Sequence, residues 1–310
     1  MKSALTQCKD WDNLFSGSPQ ESDRMIPNLP RPQEVPPLAK AIAAKFGALP
    51  QVVAVAFAGS RTVGVSNETS DYDLFVYVHE DIPVEEREAI AKEFAKRIEI
   101  DNQFWEPGDE WIHTNSGCGV DIMYRTPQWI EEQRDRVLVK HQASVGYSTC
   151  FWWNVLTSVS LYDNKGWFKH LQEKANQPYP EPLKRAIVAK NYPILRRNIS
   201  SYAHQIELAI NRNDSVSIIH RTAALFASYF DIIFAVNSLP HPGEKRLVEQ
   251  VKKLCSKIPD GMEEQVFAIN DSMPLSSSAR TLLHHLNELI DGLDKLLIAE
   301  NLITESKKLV

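Results

Sequence analysis

The first half of the chain sets short valine-rich apolar runs between polar turns. Val52-Val53-Ala54-Val55-Ala56-Phe57 and Phe75-Val76-Tyr77-Val78 have the length and the β-branched content of strands. Gly119-Val120-Asp121-Ile122-Met123-Tyr124 alternates and predicts a further strand, and the stretch holding Trp105, Pro107, Gly108 and Trp111 predicts a strand with a loop. Leu38 to Phe46 reads as a short helix ended by Gly47. Pro83 to Ile98 reads as an amphipathic helix: Pro83 suits a first turn, Glu85, Glu86 and Glu88 crowd the start, and Ile90, Phe94 and Ile98 recur every four residues. Thr126-Pro127 opens another helix, to about Val139.

From about Val137 the pattern turns helical. Gly146 to Val159 predicts a buried helix, with Trp152 and Trp153 as core. Glu181 to about Asn213 reads as one long helix or two meeting at Pro193. Asp214 then caps a strongly apolar helix, Ser215 to Val236, whose interior ionisable residues are His220, Arg221 and Asp231. Arg221 pairs there with an acid, or His220 or Arg221 faces a cleft. Asn237 to Lys245 forms a turn, and helices follow near Glu244–Ile258 and Ser276–Ala299. His284-His285 is not a metal pair, because adjacent helical residues point apart. Residues 1–37, with Pro19, Pro27, Pro30, Pro32, Pro36 and Pro37, form a proline-rich arm with a short helix near Trp11 to Phe15. Three regions result: the arm, a strand-containing unit over 38–139, and a helical unit over 140–310.

Composition narrows the setting. A 43% hydrophobic content suffices for a core, and the net charge of -6 without a basic run argues against a nucleic-acid partner. Cys8, Cys118, Cys150 and Cys255 show no metal or disulfide spacing, as expected of reduced thiols in a cytoplasmic protein. No signal peptide is expected, and no stretch reads as long and apolar enough to span a membrane.

The chemistry concentrates in Ala58-Gly59-Ser60, ten residues, then Asp71-Tyr72-Asp73-Leu74. On a strand, residues two apart share a face, so Asp71 and Asp73 point the same way. Two carboxylates on one face repel unless a cation sits between them, and hard divalent cations such as Mg²⁺ serve. Gly59 lets the backbone approach an anion, and the Ser60 hydroxyl can donate to phosphate. Arg61 either pairs with a phosphate oxygen or is a solvated loop arginine.

This stretch resembles the signature of the nucleotidyltransferase superfamily, which includes DNA polymerase beta and the antibiotic nucleotidyltransferases. The resemblance implies an α+β fold, a mixed sheet with flanking helices, followed by an all-α domain. It implies a third carboxylate from a neighbouring strand, for which Asp121 is the candidate and Glu99, Asp101 and Asp109 are rivals. Asp71, Asp73 and Asp121 would then bind two Mg²⁺ ions, with Asp121 either holding the second ion or accepting the acceptor's proton. Gly59, Ser60 and Arg61 would hold the phosphates of ATP or another nucleoside triphosphate. The implied activity is transfer of a nucleoside monophosphate, AMP from ATP, to a hydroxyl of a small-molecule acceptor, releasing pyrophosphate. Transfer to a protein or tRNA, or nucleotide binding without turnover, are the alternatives. The cleft is formed by the two domains alone or completed by a second subunit. Leu161-Tyr162-Asp163 is similar to a segment that follows the catalytic domain of antibiotic nucleotidyltransferases. Tyr179-Pro180-Glu181-Pro182-Leu183, Phe234-Ala235-Val236-Asn237 and His241-Pro242-Gly243-Glu244-Lys245 resemble the helical domain of bacterial proteins described only as nucleotidyltransferase-like.

Overall fold

The computed structural model describes Ile26 and residues 29–30, 34–104, 106–273 and 279–304. Most of the proline-rich arm, including the helix expected near Trp11 to Phe15, and Trp105 lie outside these residues. Ile26 and Leu29, from the arm, are buried in the core.

Six strands are described: β1 Val52–Ala58, β2 Tyr72–Val78, β3 Ala95–Asn102, β4 Gly108–His113, β5 Gly119–Arg125 and β6 Val159–Asp163. They form one sheet in the order β3-β4-β5-β2-β1-β6. The β2–β5 pair is parallel and the others are antiparallel, so the sheet is mixed. Helices α1 Pro37–Gly47 and α2 Val84–Phe94 belong to the first half. They are followed by α3 Pro127–Leu138, α4 Cys150–Thr157, α5 Trp167–Ala175, α6 Glu181–Arg196, α7 Tyr202–Asn211, α8 Ser215–Val236, α9 Leu247–Leu254, α10 Met262–Ser272 and α11 Ala279–Ala299. This is the expected α+β architecture, with the helices gathered towards the C-terminus.

Strand alternation divides the interior into two cores. Val55 and Phe57 of β1 and Leu74 and Val76 of β2 face Ile42 and Phe46 of α1 and Ile90 of α2. There Trp111 lies parallel to Phe46 and Phe94, with centroids 6.3 and 6.4 Å apart. The intervening residues, Ala54 and Ala56 of β1 and Phe75 and Tyr77 of β2, face the helical side and share a core with Trp152, Trp153, Phe168 and Leu171. Small alanines on that face of β1 let the helices approach closely.

Several elements depart from the sequence expectation. Helix α2 stops at Phe94, and Ala95 is already extended at φ -121°, ψ 143°. Ile98 therefore lies on β3 opposite Trp111, not on the helix. A spacing of four residues fits a helical face and, being even, equally fits one face of a strand. Strand β6 falls within the 140–310 segment read as helical. At five residues it is too short to show a period, and its place is set by pairing with β1. Pro193 lies inside α6. The break comes after Arg196, and Ser201 caps α7 by accepting from the His204 N–H. The run expected as Glu244–Ile258 contributes only α9, and α10, not foreseen, starts beyond the left-handed Gly261. Helix α8 is, by length and a mean hydropathy of 1.3, apolar enough to cross a bilayer, contrary to the sequence reading, and 61% of that window is buried within the protein. Its C-terminal half is enclosed from Ser228 to Val236, whereas His220 is exposed.

Asp109 on β4 is wholly buried and accepts from Arg87 at 3.2 Å, from the Asp101 N–H at 2.9 Å and from the Tyr124 hydroxyl at 2.6 Å. It ties α2 to the sheet. Removing one partner of a buried charged pair strands the other. Asp109→Ala should therefore lower stability by about 3–5 kcal/mol, read from the urea midpoint at unchanged slope. Glu99→Ala, whose partner Arg97 is exposed, should stay within about 0.5 kcal/mol.

Candidate active site

At the end of β1 the chain enters Gly59 at φ 75°, ψ -161°, a region open essentially to glycine alone. A single 3-10 turn follows, Ser60–Thr62, closed by the Thr62 N–H and hydroxyl, both donating to the Gly59 carbonyl. The Ser60 hydroxyl makes no hydrogen bond among the described residues. Arg61 then clasps the far end of the loop. Its Nε donates to the carbonyls of Ser70 and Asp71 at 3.0 and 3.1 Å, and its guanidinium lies 4.2 Å from the Tyr72 ring centre. Its donors are thus engaged by the loop, and the geometry makes it a clamp that sets the entry into β2.

Asp73 sits on β2 beside Asp121 on β5, and Asp121 sits beside Glu110 on β4. Paired residues share a face, so the three acids form a row across the sheet. Asp71, two residues ahead of Asp73, adds a fourth on the same side. The face is the one turned towards the helical part, since Phe75 and Tyr77 continue it into that core. Two glycines make the row possible. A Cβ on Gly59 would overlap the Asp73 carboxylate, and a Cβ on Gly119 would overlap that of Asp71. Gly59 is excluded from substitution by its backbone as well. At Gly119 the constraint is space alone, and a Cβ there would push the Asp71 carboxylate aside.

Among the described residues the carboxylates of Asp71, Asp73 and Asp121 make no hydrogen bond and no ion pair within bridging distance. Burial raises the Asp73 carboxyl above its ordinary range. Lys245 opposes the shift, Asp71 adds to it and Arg61 opposes it. Asp121 is pushed up to about 7, first by burial and then by Asp73, Asp71 and Glu110, against the opposing charge of Lys245. Lys245 and Arg246, from the loop before α9, line with Ser60, Val65, Ser70 and Asp71 a cleft of about 330 Å³.

Sequence reasoning therefore names the residues that the structure brings together, Gly59, Ser60, Arg61, Asp71, Asp73 and Asp121. It misses Glu110, Gly119 and Lys245. Gly119 stands two residues before Asp121, the one local signal available. Nothing local marks Lys245, which reaches the cleft through the tertiary fold. The rivals to Asp121 are committed elsewhere: Asp101 and Asp109 to Arg87, and Glu99 to Arg97. Neither His220 nor Arg221 lines the cleft. No three His, Cys, Asp or Glu side chains among the described residues close around a single point. The acids line an open face, an arrangement that suits Mg²⁺, which keeps waters and takes part of its shell from substrate phosphates.

No protein-family model and no curated protein matches the chain. Among solved structures it is similar to a nucleotidyltransferase-like protein from Exiguobacterium sibiricum, at 12% identity over 85% of this chain and 75% of that one, TM-score 0.39. It is also similar to an aminoglycoside 6-adenyltransferase from Bacillus subtilis, at 8% identity over 86% of this chain and 92% of that one, TM-score 0.33. Both likenesses are remote.

The raised Asp121 pKa has a consequence for stability. Its folded value of about 7 exceeds the ordinary 3.8, so the folded state binds a proton that the unfolded state releases. The associated stability is complete below the ordinary value and is lost as the pH rises through about 7. In buffer with a metal chelator, Asp121→Asn should raise the melting temperature at pH 8 and leave it near wild type at pH 4. Equal shifts at both would contradict the placement of Asp121 among the other acids.

Proposed function

We propose that the protein is a nucleotidyltransferase that moves a nucleoside monophosphate, AMP from ATP, onto a hydroxyl of a small-molecule acceptor and releases pyrophosphate. The observation that carries this reading is the set of carboxylates Asp71, Asp73 and Asp121, which bond to nothing among the described residues, with two glycines keeping space for two of them, beside a turn that offers the Ser60 hydroxyl and a lysine. A fold has no structural use for such a row, and removing the repulsion would stabilise it. Cations and an anionic ligand together would use every part of it.

Asp71, Asp73 and Asp121 would hold Mg²⁺ ions. When bound, these would polarise the phosphoryl group and neutralise charge on the leaving pyrophosphate. Gly59 lets the turn approach the phosphates, and the Ser60 hydroxyl donates to one of their oxygens. Lys245 supplies a compact positive charge at the rim. Arg61 acts one step back, holding the carbonyls of Ser70 and Asp71 so that the Asp71 carboxylate keeps its direction. Asp121 would either share in holding the second ion or, left free of it, accept the proton of an acceptor hydroxyl that comes within hydrogen-bond reach. The helical part closes the other wall of the cleft, from which the acceptor would enter. The acidity of the site and of the chain argues for an acceptor other than nucleic acid. The described cysteines are all unpaired thiols, and we place the protein in the cytoplasm.

The test is mass-spectrometric detection of nucleotide adducts after incubation with ATP, Mg²⁺ and a broad panel of hydroxyl compounds, beside transfer of label from ATP into a cell lysate. An adduct on a small molecule is expected, and label entering only macromolecules would replace the acceptor class. Asp71→Asn and Asp73→Asn should each lower turnover at least about 100-fold, the loss that follows from removing several kcal/mol of charge stabilisation. Gly119→Ala should lower it in the same direction by displacing Asp71. Turnover unchanged in both Asn variants would overturn the reading.

A further inference from the structure

The loop between α8 and α9 carries Lys245 and Arg246 to the rim of the cleft, yet no regular structure holds it. Ser238, Gly243 and Arg246 have φ values of 56°, 105° and 54°, so the chain turns sharply at each. Its root is fixed by Asn237, whose side chain bonds to Lys257 and Ser256 across the loop. Its middle is fixed by His241, which is fully enclosed. The His241 ring lies edge-on to Tyr147 and Phe234, with centroids 5.0 and 4.9 Å away. Its main-chain N–H donates to the Thr149 hydroxyl at 2.7 Å, and its Nδ1 accepts from the Gly243 N–H at 3.1 Å. An accepting Nδ1 places the ring proton on Nε2. Burial pushes the imidazole down to about 3, so it stays neutral at working pH and Nδ1 remains an acceptor.

Thr149 is itself held from the opposite side. The preceding Ser148 donates its N–H and its hydroxyl to Asp231 of α8, at 3.1 and 2.7 Å. The Gly146 N–H donates to Asn191 of α6 at 2.9 Å, and Asn191 donates back to the Ser144 carbonyl at 3.0 Å. The segment after α3 is thus bolted to two core helices by buried polar groups, and its last residue catches His241. Lys245 follows His241 by four residues, a reach of at most about 14 Å. Any slackness at the catch therefore passes to the lysine.

We propose that Thr149 and His241 are positioning residues for Lys245, seating the 237–246 loop so that the ammonium stands beside Asp71 where the phosphates of a nucleotide lie. The inference rests on the nucleotide reading given above and adds a device to it. The lysine is exposed and forms no hydrogen bond or ion pair among the described residues, so its position is set by where its backbone is held. Thr149 touches neither metal nor nucleotide in this scheme, and acts only through the loop.

Calorimetric titration with magnesium tripolyphosphate tests it, using wild type, Thr149→Val, Thr149→Ser, Lys245→Ala and the Thr149→Val/Lys245→Ala pair, each checked by thermal melting. Thr149→Val keeps the shape and loses the acceptor, and should weaken binding about tenfold. Thr149→Ser keeps the hydroxyl and should bind as wild type. In the Lys245→Ala background, Thr149→Val should add no further loss, because its effect runs through the lysine. If Thr149→Val does not fold, His241→Phe, which keeps the ring and removes the Nδ1 acceptor, takes its place with the same expected outcome. Equal losses with and without Lys245, or no loss at all, would overturn the inference while leaving the phosphate site standing. No binding by wild type would overturn both together.

Discussion

Like charges held together on a half-buried face cost a protein stability unless something outside the fold relieves them. Here Asp71, Asp73, Asp121 and Glu110 lie along one side of a sheet, and burial first, then the repulsion among them, raises the pKa values of Asp73 and Asp121. The rest of the structure is arranged around keeping that row intact. Gly59 and Gly119 leave room for two of the carboxylates. Arg61 spends its donors on the carbonyls of the loop that delivers Asp71, instead of bridging to the acids themselves. Lys245 approaches without forming an ion pair among the described residues, and so tempers the charge without occupying the oxygens.

The sheet explains why the row can exist. A parallel pairing of β2 with β5 puts Asp73 and Asp121 at the same level, which an antiparallel neighbour shifted by one residue would not do. Beneath the acids, Phe75 and Tyr77 run into the core shared with Trp152 and Phe168, so the polar end of β2 is anchored by its apolar end. The opposite face is filled by α1 and α2, and the buried Asp109–Arg87 pair locks α2 to the sheet. Chemistry and stability are thus carried by different acids of the same small domain, and burial and partner choice tell them apart.

Much of this was legible in the residues. The valine-rich runs, the glycine turn and the Asp-Tyr-Asp spacing were enough to place β1, the turn and β2, because each signal is local and they agree. Asp121 was reachable because the resemblance implies a third acid on a neighbouring strand, and an acid in an alternating apolar run marks where it stands. What could not be read depends on distant partners. Ile98 satisfies a helical and a strand period alike, and only pairing with β4 decides between them. Strand β6 is too short to announce itself. Gly119 matters because of Asp71, far away in sequence, and Lys245 because a buried histidine seats its loop. The apolar composition of α8 points to burial, which is continuous from Ser228 to Val236, whereas Val216 and Ile219 near its start are exposed.

The central claim is that the carboxylate row exists to hold metal and, through it, a nucleotide. Calorimetric titration of a non-hydrolysable ATP analogue, with and without Mg²⁺, into wild type and the Asp71→Asn/Asp73→Asn double variant tests it most directly. The account predicts Mg²⁺-dependent binding by wild type and its loss in the double variant, with both proteins folded. Binding that is indifferent to Mg²⁺ and to both substitutions, or no binding of any nucleotide by wild type, would contradict it.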